Sequence, residues 1–106
     1  TCSSDIRLKK DINPIVNTLS KITKLRPVNY YRKRDKWFED YFGTWQATWL
    51  IAQEVEEVFP ELVSTDSNWY KMVNYGVELN MYMLQSLKEL NDQRIMLQNE
   101  LDSLKK

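Results

Sequence analysis

Met83-Leu84-Gln85-Ser86-Leu87-Lys88-Glu89-Leu90, running on through Arg94, Leu97 and Leu101 to Leu104, decides the architecture of this chain. Met83, Leu87, Leu90, Arg94, Leu97, Leu101 and Leu104 recur in alternating steps of four and three. That is the heptad rhythm of a helix whose apolar seam lies against other helices. The spacing predicts one helix from about Val77 to Leu104. In isolation it exposes its leucines to water, so self-association is the expectation, and a lone helix folded back on its own domain is the alternative. Heptads alone do not choose dimer over trimer. Arg94 is the one polar seam member, and such a residue sets register or oligomeric state at a cost in stability. Gln98, Glu100, Asp102 and Lys105 read as the solvated faces.

The remaining length bounds what precedes that helix. With 106 residues there is room for one domain, and about the first eighty form its compact part. So small a unit buries a modest fraction of its surface, and an oligomer supplies the missing core. Fifteen basic residues balance fifteen acidic ones, so nothing favours strong attraction to phosphate. The run Tyr31-Arg32-Lys33-Arg34 sits beside Asp35, Glu39 and Asp40 and reads as a solvated loop or strand edge; nucleic-acid or glycan binding is the rival. Cys2 is the only cysteine, so no intrachain disulfide forms. Histidine is absent, which removes the Ser-His-Asp triad, His-containing zinc sites and the commonest neutral-pH base. No run approaches the roughly 20 apolar residues of a membrane span. No nucleic acid, membrane, metal or cofactor is therefore expected. The chain starts without methionine and without an apolar signal region, and reads as a piece of something larger.

Between the ends the elements are short. Asp11 to Leu25 reads as a helix capped by Asp11 or Asn13, with Pro14 in its first turn and Ile15, Leu19 and Ile22 on one face. Arg26-Pro27 ends it. Val28 to Tyr31 reads as a strand. Trp37, Phe38, Tyr41, Phe42, Trp45 and Trp49 crowd thirteen residues with a turn at Gly43. They predict a hairpin or ordered insertion, serving as local core or subunit contact, or else as a binding patch. Leu50 to Phe59 predicts a short amphipathic helix stopped by Pro60. Leu62-Val63-Ser64, a turn at Asp66-Ser67-Asn68, and Trp69 to Val73 predict a second hairpin. The fold class is α+β: a small mixed globular domain of short helices and hairpins, then a long helix forming a trimeric coiled coil. Its parts are residues 1–3 upstream, 4–76 globular, and 77–106 the trimerisation helix.

Ser4 and Lys9 supply one hydroxyl and one amine five residues apart. A regular helix aligns them imperfectly, whereas a turn brings them together. A serine hydroxyl is a weak nucleophile until a base takes its proton. A lysine amine, ordinarily titrating near ~10.4, serves only when burial or a nearby cation favours its neutral form. Arg7 and Lys10 are cations nearby in sequence. Taken alone, such a pair is also what any solvated chain terminus presents.

Longer stretches add a resemblance. Ser4-Asp5-Ile6-Arg7-Leu8-Lys9-Lys10-Asp11-Ile12 resembles the opening motif of the intramolecular chaperone domain of phage tailspikes and tail fibres, the endosialidase-type chaperone or S74 peptidase family. Leu25-Arg26-Pro27-Val28 with Tyr30, Ile51-Ala52-Gln53-Glu54-Val55-Glu56, Val58-Phe59-Pro60-Glu61-Leu62-Val63, Val73-Asn74-Tyr75 and Leu87-Lys88-Glu89-Leu90 resemble the family's later blocks in order. The segment Arg32 to Thr48 matches none.

The resemblance implies a C-terminal domain that drives homotrimerisation and folding of an upstream fibre or spike, then cuts itself off before the motif serine. Carried over, Ser4 is the nucleophile, Lys9 the general base, and Ser3–Ser4 the bond cut. Backbone amides or Arg7 are candidates for stabilising the oxyanion, against a purely structural salt bridge for Arg7. Asp5 orients Lys9 or caps the turn. The expected partners are two further copies and the upstream fibre domain. The expected place is the host cytoplasm during phage assembly, with the released domain absent from the mature virion. A non-cleaving trimerisation module of the same fold is the first rival, and an adaptor whose coiled coil recruits another protein is the second. The same signature occurs in membrane-tethered transcription factors that trimerise and self-cleave. Thr1-Cys2-Ser3 lie ahead of the cut, as in an unprocessed or inactive chain.

Overall fold

A computed structural model describes residues 3–32, 46–74 and 76–105. In chain order these form a 3-10 turn at Ile6–Leu8, helix α1 (Leu19–Ile22), strand β1 (Val28–Tyr30), strand β2 (Ala47–Trp49), helix α2 (Ala52–Val58), a 3-10 turn at Pro60–Leu62, strands β3 (Val63–Thr65) and β4 (Lys71–Val73), and helix α3 (Val77–Leu104). The class is α+β. The aromatic run from Trp37 to Trp45 lies outside the described residues. Its last member, Trp49, ends β2.

Two antiparallel ribbons flank α2. Strand β1 pairs with β2, Val28 opposite Trp49 and Tyr30 opposite Ala47. Strand β3 pairs with β4, Val63 opposite Val73 and Thr65 opposite Lys71. Asp66 builds the turn of the second ribbon: its carboxylate accepts from the backbone N–H of Asn68 at 2.8 Å and of Tyr70 at 2.9 Å. This is the side-chain turn that aspartate favours. Two-stranded ribbons are marginal without an apolar partner. Here both meet the core, which consists of Val55, Phe59, Leu62, Val73 and Leu79, with Ile22, Leu25, Trp49, Val63 and Tyr82 packed around it.

Helix α2 buries Val55 on the expected face, while Phe59 caps its end and is buried. Pro60 has no N–H to continue the helix, so the chain tightens into the 3-10 turn that buries Leu62. Phe59 stacks on Tyr82 of α3 with ring centroids 4.8 Å apart, which fixes α3 to the domain. Ion pairs brace the outside: Arg26 with Glu54 at 2.7 Å, and Lys71 with Glu56.

One expectation fails. No helix spans Asp11 to Leu25; α1 is four residues long. Asp11 and Asn17 have φ of 54° and 60°, in the left-handed region, which breaks any helix through them. Neither Asp11 nor Asn13 caps α1. Glu89 of α3 takes that role, accepting from the Thr18 N–H at 3.1 Å and the Leu19 N–H at 3.3 Å. These are orphan donors that every helix start must satisfy.

Helix α3 runs over the expected residues and carries two adjacent stripes. Leu79, Tyr82, Ser86 and Glu89 face the chain's own domain; Leu79 and Ser86 are buried, Tyr82 and Glu89 half-buried. Met83, Leu87, Leu90, Leu97, Leu101 and Leu104 are exposed, Leu87 at 64% and Leu104 at 83%. Met83, Leu87 and Leu90 directly follow Tyr82, Ser86 and Glu89, so the stripes lie about 100° apart around the helix.

Candidate functional site

The local fold around Ser4 is a short reversal. Asp5 opens it: its carboxylate accepts from the Arg7 N–H at 2.9 Å, and its carbonyl from the Leu8 N–H at 3.0 Å. The Lys9 N–H then closes the turn on Ile6 O at 3.1 Å. Asp5 and Lys9 both have extended backbone. A tight turn with extended flanks brings its two ends to one side, and Lys9 Nζ reaches Ser4 Oγ at 2.6 Å. An α-helix would set residues five apart well round its cylinder.

Arg7 and Asp5 pair with each other. Arg7 Nε and a terminal guanidinium nitrogen meet the two carboxylate oxygens at 3.0 and 2.8 Å, a bidentate fork. The Arg7 side chain, then its backbone N–H, holds the Asp5 carboxyl below its ordinary range, and Asp5 pushes the guanidinium up. Asp5 thus caps the turn and orients Arg7, while Lys9 bonds Ser4.

The whole turn is open to water. Residues 3–17 are exposed, including Ile6 at 73%, Leu8 at 74% and Val16 at 63%. Lys9 in this single chain donates to Ser4 Oγ, and transfer of the serine proton needs the reverse direction. The arm meets the domain at Thr18, where the Thr18 hydroxyl donates to Glu89 at 3.1 Å and Ser86 Oγ lies 2.9 Å from Thr18 Oγ1. Ser86 Oγ lies 2.7 Å from the Tyr82 carbonyl as well, and its single proton serves one of these two acceptors. Sequence reasoning passed over this cluster. Its signal was the second stripe on α3, where Ser86 and Glu89 follow Leu79 and Tyr82 at steps of three and four. Of the other expected site residues, Ser3 is exposed beside Ser4, and Arg94 donates to Asn91 Oδ1 at 3.2 Å.

A hydroxyl–amine pair on a solvent-exposed arm, set ahead of a long helix with an uncovered apolar seam, defines a small α+β domain with a candidate cis-acting site. The profile of the family described as chaperone of endosialidase, a peptidase family by name, matches residues 4–64, more than half of the chain. The chain belongs to this family. It is 37% identical over 76 residues, 69% of its own length, to the long tail fiber protein Gp37 of Escherichia phage AR1. It spans 7% of the length of that relative.

Proposed function

We propose that this chain is the C-terminal folding aid of a trimeric phage fibre or spike, and that it releases itself by cutting the Ser3–Ser4 bond. The observation that carries the reading is Lys9 Nζ at 2.6 Å from Ser4 Oγ. The family match opening on Ser4 and the likeness to a long tail fibre protein support it. Ser4 Oγ attacks the Ser3 carbonyl carbon while Lys9, neutral at that moment, takes the hydroxyl proton. The C–N bond to Ser4 breaks, its nitrogen receives the proton, and an ester joins Ser3 to Ser4 Oγ. Water then hydrolyses the ester to a Ser3 carboxylate and a free Ser4 hydroxyl. The attacking oxygen belongs to the residue whose own nitrogen leaves, so effective concentration comes without substrate binding.

Assembly is the gate. Seams of three α3 helices bury one another, and the exposed aliphatic arm closes against the assembly. Stripping water from the Lys9 ammonium disfavours its charged form and readies the base. Backbone amides are the preferred oxyanion donors, because the Arg7 fork is engaged by Asp5. The work is done in the host cytoplasm while the phage assembles, and the released domain is absent from the mature virion.

The test is the intact and native mass of the full fibre chain, with Ser4→Ala and Lys9→Met beside it. Trimers from all three, with loss of mass C-terminal to Ser3 in the native chain alone, are expected. Trimers without a cut in any would leave a non-cleaving folding module.

A further inference from the structure

We propose that Glu89 is the positioning residue that fixes the arm bearing Ser4 and Lys9 to the assembling face of α3, so that the arm lies on a second copy of the chain. This rests on the self-release reading above. Among the described residues the buried polar side chains are Thr18 and Ser86, and both belong to one cluster around the Glu89 carboxylate. That carboxylate takes three bonds from residues 18 and 19 across some seventy residues of chain. The Ser86 hydroxyl, 2.9 Å from Thr18 Oγ1, adds to the same tie between the start of α1 and α3. The cluster sits immediately beside the seam, since Ser86 precedes Leu87 and Glu89 precedes Leu90.

Upstream of the clamp the arm has no regular structure, and Ile12 and Val16 are exposed at 61% and 63%. The eight residues between Lys9 and Thr18 reach about 25–30 Å. Packed helices lie about 8–10 Å apart, so a neighbouring copy is well within that span. The exposed arm aliphatics and the exposed seam residues Met83, Leu87 and Leu90 are then two apolar surfaces, and each is exposed in the single chain. A second copy supplies both at once. Without the clamp, the next firm anchor for the arm is Ile22, packed on the core, which lengthens the tether by about half.

The experiment follows first-order release in assembled trimers of the full fibre chain carrying Cys2→Ser. Glu89→Gln is expected to keep the trimer mass and slow release about twofold, the penalty for lengthening a flexible tether by half. Adding Thr18→Cys and Ser86→Cys replaces two hydroxyls 2.9 Å apart with a closable disulfide. Oxidation is expected to restore the native rate and reduction to remove it again. Glu89→Gln trimers that release at the native rate, even with a lowered melting temperature, overturn the proposal. So does slow release that the oxidised pair leaves slow. If Glu89→Gln fails to form trimers, Thr18→Val decides: slower release supports the proposal and an unchanged rate overturns it. A native chain that forms trimers and never cuts refutes the self-release reading, and this inference with it.

Discussion

Glu89 shows how much one side chain on α3 governs at a distance. Its carboxyl is held below the ordinary glutamate range, first by the Thr18 N–H, then by the Leu19 N–H and its side-chain partners, against the opposing pull of burial. A carboxyl depressed in the folded state binds its proton more readily when unfolded. It therefore adds stability above its unfolded value, near ~4.3, and that stability is lost as pH falls through the depressed folded value. Asp5 and Glu54 are depressed in the same way by Arg7 and Arg26, so the native chain alone does not isolate Glu89. Melting from about pH 6 to about pH 3 is expected to fall further for the native chain than for Glu89→Gln, the difference being the clamp. Leu62, 2% exposed, anchors the core end of the same domain. Leu62→Ala is expected to cost about 2–5 kcal/mol in denaturant unfolding.

At the scale of elements, the β3–β4 ribbon carries the clearest backbone tension. Trp69 sits at φ 68° and is 87% exposed, so a bulky side chain occupies a left-handed position while burying little. That conformation costs an L-residue roughly 1–2 kcal/mol, and glycine's extra freedom in the unfolded chain gives back part of the difference. Trp69→Gly is expected to raise stability by about 0.5–1 kcal/mol, read as a melting temperature a few degrees higher. An unchanged or lower midpoint would mean that the indole makes contacts worth as much as the strain. The N-terminal arm teaches the opposite lesson. Ile15 and Val16 mimic the face of a helix in sequence, yet they sit outside any regular element, because left-handed Asp11 and Asn17 break the run and the first helical donors find their acceptor on Glu89.

The whole molecule is drawn out by α3. Its radius of gyration is 19.4 Å, against about 13 Å for a compact chain of this length. The 28-residue helix extends about 42 Å, and from Leu90 onward every residue described is exposed. In the proposed trimer the uncovered leucines make folding and association one event, so the melting temperature is expected to rise with chain concentration; a flat dependence measured across a hundredfold dilution would show that the seam is not what holds the fold. Arg94, bonded to Asn91 in the single chain, places a cation in that seam. Arg94→Leu is expected to raise the melting temperature while broadening the distribution of oligomers by native mass. Equal melting with an unchanged oligomer would remove Arg94 from the seam.

The elements that were legible in the sequence are those whose cause is local. The bounds of α3 follow from seven residues in a strict rhythm, the ribbon turn from Asp66, and the stop after α2 from Pro60, because periodicity and backbone chemistry act within a few residues. The Ser4–Lys9 pair was legible as residue types, but its 2.6 Å approach depends on the 3-10 turn that Asp5 caps. Tertiary structure alone decided the pairing of β1 with β2, the left-handed breaks at Asp11 and Asn17, and the Thr18–Ser86–Glu89 clamp. Each joins or frees backbone groups whose partners lie far along the chain, and no local pattern records which distant carboxylate or strand will satisfy them.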